Sequence, residues 1–174
     1  MSDVDFDQLL FNELREHVFG LGLISLRYNL FESALRFILF NYVQYPVLDL
    51  LYERTSNEQR AHAIRTLAKV NEFDPETRDH IDHLLTYFSI CAENRNILMH
   101  STQSFSDEKS EGLLTLEKRL KTGGKNLYRL DLPSLKRVAN DMNTGVSYLI
   151  EVDVLIQNKS GEPRASPHKP PLPD

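Results

Sequence analysis

Residues 74–101 read DPETRDHIDHLLTYFSICAENRNILMHS, and the fold turns on this stretch. Asp74 suits a helix N-cap, Pro75 suits the first helical position, and Glu76 places an acid in the first turn. Beyond them Ile81, Leu84, Leu85, Phe88, Cys91, Ala92 and Met99 recur at helical spacing. At about 100° per residue, these positions fall within roughly 80° of Ile81. The stretch predicts one long helix over about 75–99, with an apolar stripe wide enough to need other helices against it.

The flanking segments supply those helices. Ser56, followed by Glu58 and Gln59, marks a helix start, and the segment to about residue 70 carries Ala61, Ile64, Leu67 and Ala68. Upstream, residues 5–17 place Phe6, Leu9, Leu10 and Leu14 on one helical face, and Gly20 and Gly22 predict a break or a bend. Residues 23–44 then predict a longer helix, with Leu23, Leu26, Leu30, Ala34, Phe37 and Ile38 on one side. Phe31, Leu35, Leu39 and Tyr42 fill more of its circumference, which argues for a central position. Its polar strip includes Glu32, four residues before Arg36 in the favourable acid-first order.

After His100 the texture changes. Residues 101–111 are polar and read as a loop, whereas LLTLEKRL and NLYRLDL alternate around KTGGK and predict a β-hairpin over about 113–131. Asp131 and Pro133 open a last helix, about 132–157. Five of the eight prolines lie in residues 163–173, so residues 158–174 are expected to be a disordered tail, with a Pro-x-x-Pro spacing at Pro167 and Pro170. The expected fold is mainly all-α: one domain over residues 1–157, a helical bundle with a small β-hairpin before the last helix.

Composition narrows the functional classes. A chain of 174 residues, 41% hydrophobic and 26% charged, is long enough for one core and too apolar for wholesale disorder. The single cysteine, Cys91, lies in the apolar stripe and excludes both an internal disulfide framework and a multi-cysteine zinc site. No apolar run is long enough to span a bilayer, and the acidic start MSDVDFDQ is unlike a signal peptide, so a soluble cytoplasmic protein without membrane contact is expected. His80 and His83 form half of a metal-type spacing on the predicted polar side, but no third ligand accompanies them, and no metal or cofactor is expected.

Charge is uneven. The chain carries −5 overall, but residues 117–137 hold seven basic and two acidic residues, hence +5, which leaves −10 for the rest. Lys118, Lys121 and Lys125 in this segment are candidate contacts for a polyanion; the same lysines also suit the solvated edge of a hairpin.

The residues with chemical potential are Arg95, Asn96 and His100. On the 75–99 helix Arg95 falls at roughly 320° from Ile81, inside the apolar stripe. A guanidinium keeps its charge, so it calls for an internal carboxylate, a partner subunit or a bound phosphate, unless it snorkels to cap the helix end. His100 lies five residues on, about 140° away, so the two meet only through the length of the arginine, a frayed last turn or a second subunit.

The run Arg95-Asn96-Ile97-Leu98-Met99-His100 resembles the Rx4–6H motif of the HEPN superfamily, the higher eukaryotes and prokaryotes nucleotide-binding domains. The resemblance extends over residues 20–101 in architecture, including a long earlier helix with an embedded acid, Glu32. It implies a metal-independent endoribonuclease that works as a homodimer on RNA, with two motifs meeting across the interface. His100 would be the general acid–base, Arg95 would stabilise the phosphorane and Asn96 would support them. It further implies a toxin or phage-defence effector, paired with a nucleotidyltransferase-like antitoxin. The same superfamily includes non-catalytic modules that bind protein or nucleotide, and these are the alternative.

Overall fold

Helices begin where the sequence offers caps. A computed structural model describes residues 12–40, 47, 55–103, 114–119, 122–157 and 165–174. Its elements, in chain order, are α1 (Asn12–Phe40), α2 (Asn57–Val70), α3 (Pro75–His100), β1 (Thr102–Gln103), β2 (Leu114–Arg119), β3 (Lys125–Leu130) and α4 (Leu132–Gln157). Ser56 caps α2 through a reciprocal capping box with Gln59, and Asp74 caps α3 by accepting from the Thr77 backbone N–H at 3.0 Å. Between them, Phe73 N–H donates to the Ala68 carbonyl and Glu72 N–H to that of Lys69, the paired bonds of a Schellman close. Glu72 takes the left-handed position usually given to glycine, with φ at 53°.

The fold is mainly all-α, with the hairpin before the last helix. α1, α3 and α4 pack together, and α2 lies on α3. Their core holds Ile24, Phe31, Ile81, Leu84, Leu85, Leu135, Met142 and Val152. Aromatic rings form its centre: Phe31 meets Phe88 edge-on at 5.0 Å between centroids, and Tyr28 stacks on Phe88 at 5.7 Å. Gly145 on α4 lies directly beneath the rings of Phe31 and Tyr87, where a Cβ would collide with both. Cys91 is buried, and burial pushes its thiol up to about 12.

Several expectations change. The predicted break at Gly20 and Gly22 is absent, because α1 runs through both. Helix propensity counts against glycine by only about 1 kcal/mol per residue, which the packing of a long buried face overrides. Gly20 rests against Leu135, so there its small size serves the contact with α4. The buried face of α1 is Ile24, Tyr28, Phe31, Leu35 and Ile38, while Leu26 and Leu30 point outward at 68% and 56% exposure. A helix rich in apolar residues on every side does not announce its phase. The predicted residues 5–11 and 41–44 lie outside the described residues.

The hairpin pairs β2 with β3 from Leu114 opposite Leu130 to Arg119 opposite Lys125. A third strand joins it: Thr102 pairs with Glu117 and Gln103 with Leu116, within the segment expected to be a loop. Two residues are too short for any periodicity to register.

The tail departs most. Residues 158–164 lie outside the described residues, but residues 165–174 are held against α3 and α4 instead of being disordered. His80 Nε2 lies 2.9 Å from Ser166 Oγ, His83 Nε2 donates to the Pro170 carbonyl at 2.8 Å, and Asn94 Nδ2 donates to the Asp174 carbonyl at 3.2 Å. Composition foretold disorder because the tail has few apolar residues. The groove compensates with donors that satisfy its free carbonyls. His80, expected on the polar side, is therefore buried.

Gly145→Ala is expected to lower stability by about 1–3 kcal/mol through overpacking of Phe31 and Tyr87, read as a fall in Tm. Gly22→Ala is the contrast: a Cβ there meets nothing within 4 Å, so the helix-propensity gain of up to about 1 kcal/mol should raise Tm.

Candidate active site

The last turns of α3 carry the site. Phe88 and Arg95 are seven residues apart, two helical turns, so they share a face. Tyr28 of α1 stacks on Phe88, and the Arg95 guanidinium carbon lies over the same Tyr28 ring, 5.5 Å from its centroid. The apolar stripe that seemed to bury a charge thus ends in an aromatic face suited to a cation.

Arg95 and His100 do meet. Arg95 Nη1 lies 3.2 Å from His100 Nε2 and 3.2 Å from Asn96 Oδ1. The α-helix persists to His100, so the roughly 140° between the positions is spanned by the reach of the arginine side chain and not by fraying. A guanidinium only donates, so His100 Nε2 accepts and its ring proton sits on Nδ1. That leaves a basic nitrogen pointed at a cation, on an exposed residue.

No carboxylate pairs with Arg95 among the described residues, and its Nε is buried without a hydrogen-bond partner there. Glu32, the embedded acid of α1, is engaged by Arg60 at 2.7 Å. Arg60 also donates to Asn57 Oδ1 at 3.1 Å, and Asn57 Nδ2 donates to the Tyr28 hydroxyl at 2.6 Å. A network from α2 therefore holds the Tyr28 hydroxyl while Arg95 lies over its ring. Burial, then the Glu32 charge, raise the Tyr28 phenol above its ordinary range; Asn57, Arg95 and Arg60 oppose that rise.

Beside this network a groove of about 350 Å³ opens between α2 and α3. Leu85, Phe88 and Ala92 form its floor, and Asn57, Thr86 and Ser89 its rim. Ala92 is one turn before Arg95, so groove and guanidinium adjoin along α3.

The basic hairpin is tied to the same end of α3. β1 begins two residues after His100, and its pairing with Leu116 and Glu117 sets β2 beside the motif. Lys118 is the next residue on that strand. Lys125 is exposed and pairs with Glu117 at 2.9 Å, which offsets part of the positive charge, and Lys121 lies outside the described residues.

Sequence reading missed Tyr28, Asn57 and Arg60. Tyr28 lies three residues before Phe31 on the buried face of α1, and correct phasing of that helix would have exposed the pattern. Asn57 and Arg60 carried no signal, since their role depends on how α2 lies against α1. Among the described residues no group of three or more His, Cys, Asp or Glu side chains could hold a metal ion, and no helix is long and apolar enough to cross a membrane. No protein-family profile, curated protein or solved structure matches this chain.

Arg95→Met should raise the Tyr28 phenol further, because a cation that favours phenolate is removed, whereas Glu32→Gln should bring it down toward 10. NMR titration of ring-labelled tyrosine reads both shifts, and an unmoved Tyr28 in Arg95→Met would contradict the cation–ring contact.

Proposed function

We propose that this chain is a HEPN-type, metal-independent endoribonuclease. The observation that carries the reading is a guanidinium without a carboxylate partner among the described residues, held 3.2 Å from an imidazole nitrogen at an exposed helix end. RNA supplies its own nucleophile, the 2′-hydroxyl. His100 Nε2 takes its proton as the 2′ oxygen attacks phosphorus. Arg95 turns from His100 to the phosphate and holds two of its oxygens as the phosphorane charge develops. The bond from phosphorus to the 5′ oxygen breaks, that oxygen takes a proton from solvent water, and a 2′,3′-cyclic phosphate remains. Asn96 steadies the Arg95 fork. Lys118, with Lys121 and Lys125, supplies backbone attraction along the hairpin.

The working unit in this reading is a homodimer, in which two Arg95–His100 pairs line one cleft. A cytoplasmic toxin or phage-defence effector, restrained by a nucleotidyltransferase-like antitoxin, is the biological role that follows. The second reading, a non-catalytic module that binds protein or nucleotide, draws on the net charge of −5, which disfavours general RNA affinity.

Purified protein should cut single-stranded RNA in EDTA, and substrate lacking the 2′-hydroxyl should remain intact. His100→Ala should lose on the order of 10²–10⁴-fold in rate. Arg95→Ala should lose about 3–4 kcal/mol of transition-state stabilisation, with circular dichroism and light scattering as checks on folding and mass. Cleavage by His100→Ala at the wild-type rate would overturn the catalytic assignment, and nucleotide binding without any cleavage would favour the module.

A further inference from the structure

Residues 165–174 occupy a groove whose two walls are α3 and α4. His80, His83 and Asn94 lie within about 60° of one another around α3, and all three bond to the segment. α4 contributes Tyr148, whose hydroxyl is 2.7 Å from His80 Nδ1, and Arg137, which approaches the Asp174 carboxylate at 3.7 Å. Lys169 pairs with Asp79.

The occupant is extended. From His80 to Asn94 a helix rises about 21 Å. The segment runs along that span from Ser166 to Asp174 as neither helix nor strand, and Ser166, Pro170 and Asp174 meet His80, His83 and Asn94 in that order. Pro167, Pro170, Pro171 and Pro173 restrict φ to suit. Such a segment has no internal hydrogen bonds, so its carbonyls face outward, and His83 and Asn94 donate to two of them. Pro170 is buried at the part of the groove where aromatic rings gather: Tyr148 meets His83 edge-on at 5.6 Å and His80 at 6.0 Å. A buried proline beside aromatic rings, with donors that read neighbouring carbonyls, matches the way polyproline II ligands are recognised.

We propose that the α3–α4 groove is a recognition site for proline-rich extended segments, and that residues 165–174 are its resident ligand, held in cis and exchangeable for a segment of like chemistry on another protein. The fitting chemistry is Ser-Pro-x-Lys-Pro-Pro: a proline for the ring pocket, a carbonyl for His83 and a cation for Asp79. Exchange is feasible because Pro170 is the one fully buried residue of the segment. The segment keeps Leu172 at 44% exposure, and its ion pairs are accessible to water and salt. Tethering gives it an effective concentration in the millimolar range, so it screens out weak competitors. The groove faces roughly 100° away from Arg95 around α3, so this site stands or falls independently of the ribonuclease reading.

The probe is a fluorescent peptide of residues 163–174, and the receptor is the full chain. Pro170→Asp unseats the resident strand and leaves the groove intact; Lys169→Glu, facing Asp79, is a second unseating variant should the first fail to fold. Fluorescence anisotropy should show either variant binding the peptide at least about 10-fold more tightly than wild type, since cis competition is removed. Adding His83→Ala to the unseated chain should abolish that gain. An unseated chain that binds no better than wild type, or binding indifferent to His83→Ala, would overturn the proposal. A wild-type dimer by light scattering that becomes monomeric in Pro170→Asp would assign the resident strand to a second copy and overturn the cis arrangement.

Discussion

The edge-on contact between Phe31 and Phe88, with Gly145 beneath it, sets the distances in this bundle. A glycine on α4 lets that helix come directly against the rings of Phe31 and Tyr87. α1 and α4 pack against each other, and Phe88 and Tyr87 bring α3 into the same contact. Three long helices thus meet around one aromatic cluster. Interiors packed at this density transmit displacement instead of absorbing it, so the relative placement of α1 and α3 is fixed here.

That placement decides what the end of α3 can do. Tyr28 stacks on Phe88 and also carries the Arg95 guanidinium over its ring. Its hydroxyl is fixed by Asn57, which Arg60 and Glu32 brace in turn. The arginine therefore rests on a platform anchored in the core and in α2. A guanidinium placed this way is preorganised for an anion, since it need not be recruited from a flexible surface position.

α3 is used on more than one face. One stripe enters the core, Arg95 rides on Tyr28 at its end, and His80, His83 and Asn94 receive the proline-rich segment along another. Burial lowers the His80 imidazole below its ordinary value, as expected of a ring enclosed between Tyr148 and the segment. One helix thus serves the bundle, the candidate site and the segment on separate faces.

What the sequence determined by itself is local. Ser56 with Gln59, and Asp74 with Pro75, fixed two helix starts, because caps act within a few residues. Alternation around KTGGK fixed the hairpin, and the spacing of Arg95 and His100 marked the candidate site. The tertiary structure decided everything that needed a partner distant in the chain. The phase of α1 was ambiguous because apolar residues surround it, and only contact with α3 and α4 selected Tyr28 and Phe31 for the inside. The glycines at 20 and 22 looked like a break until packing overrode propensity. Residues 165–174 looked disordered because composition measures what a segment can bury alone. Their order comes from carbonyls meeting His83 and Asn94, donors that lie more than seventy residues away in sequence and one hydrogen bond away in space.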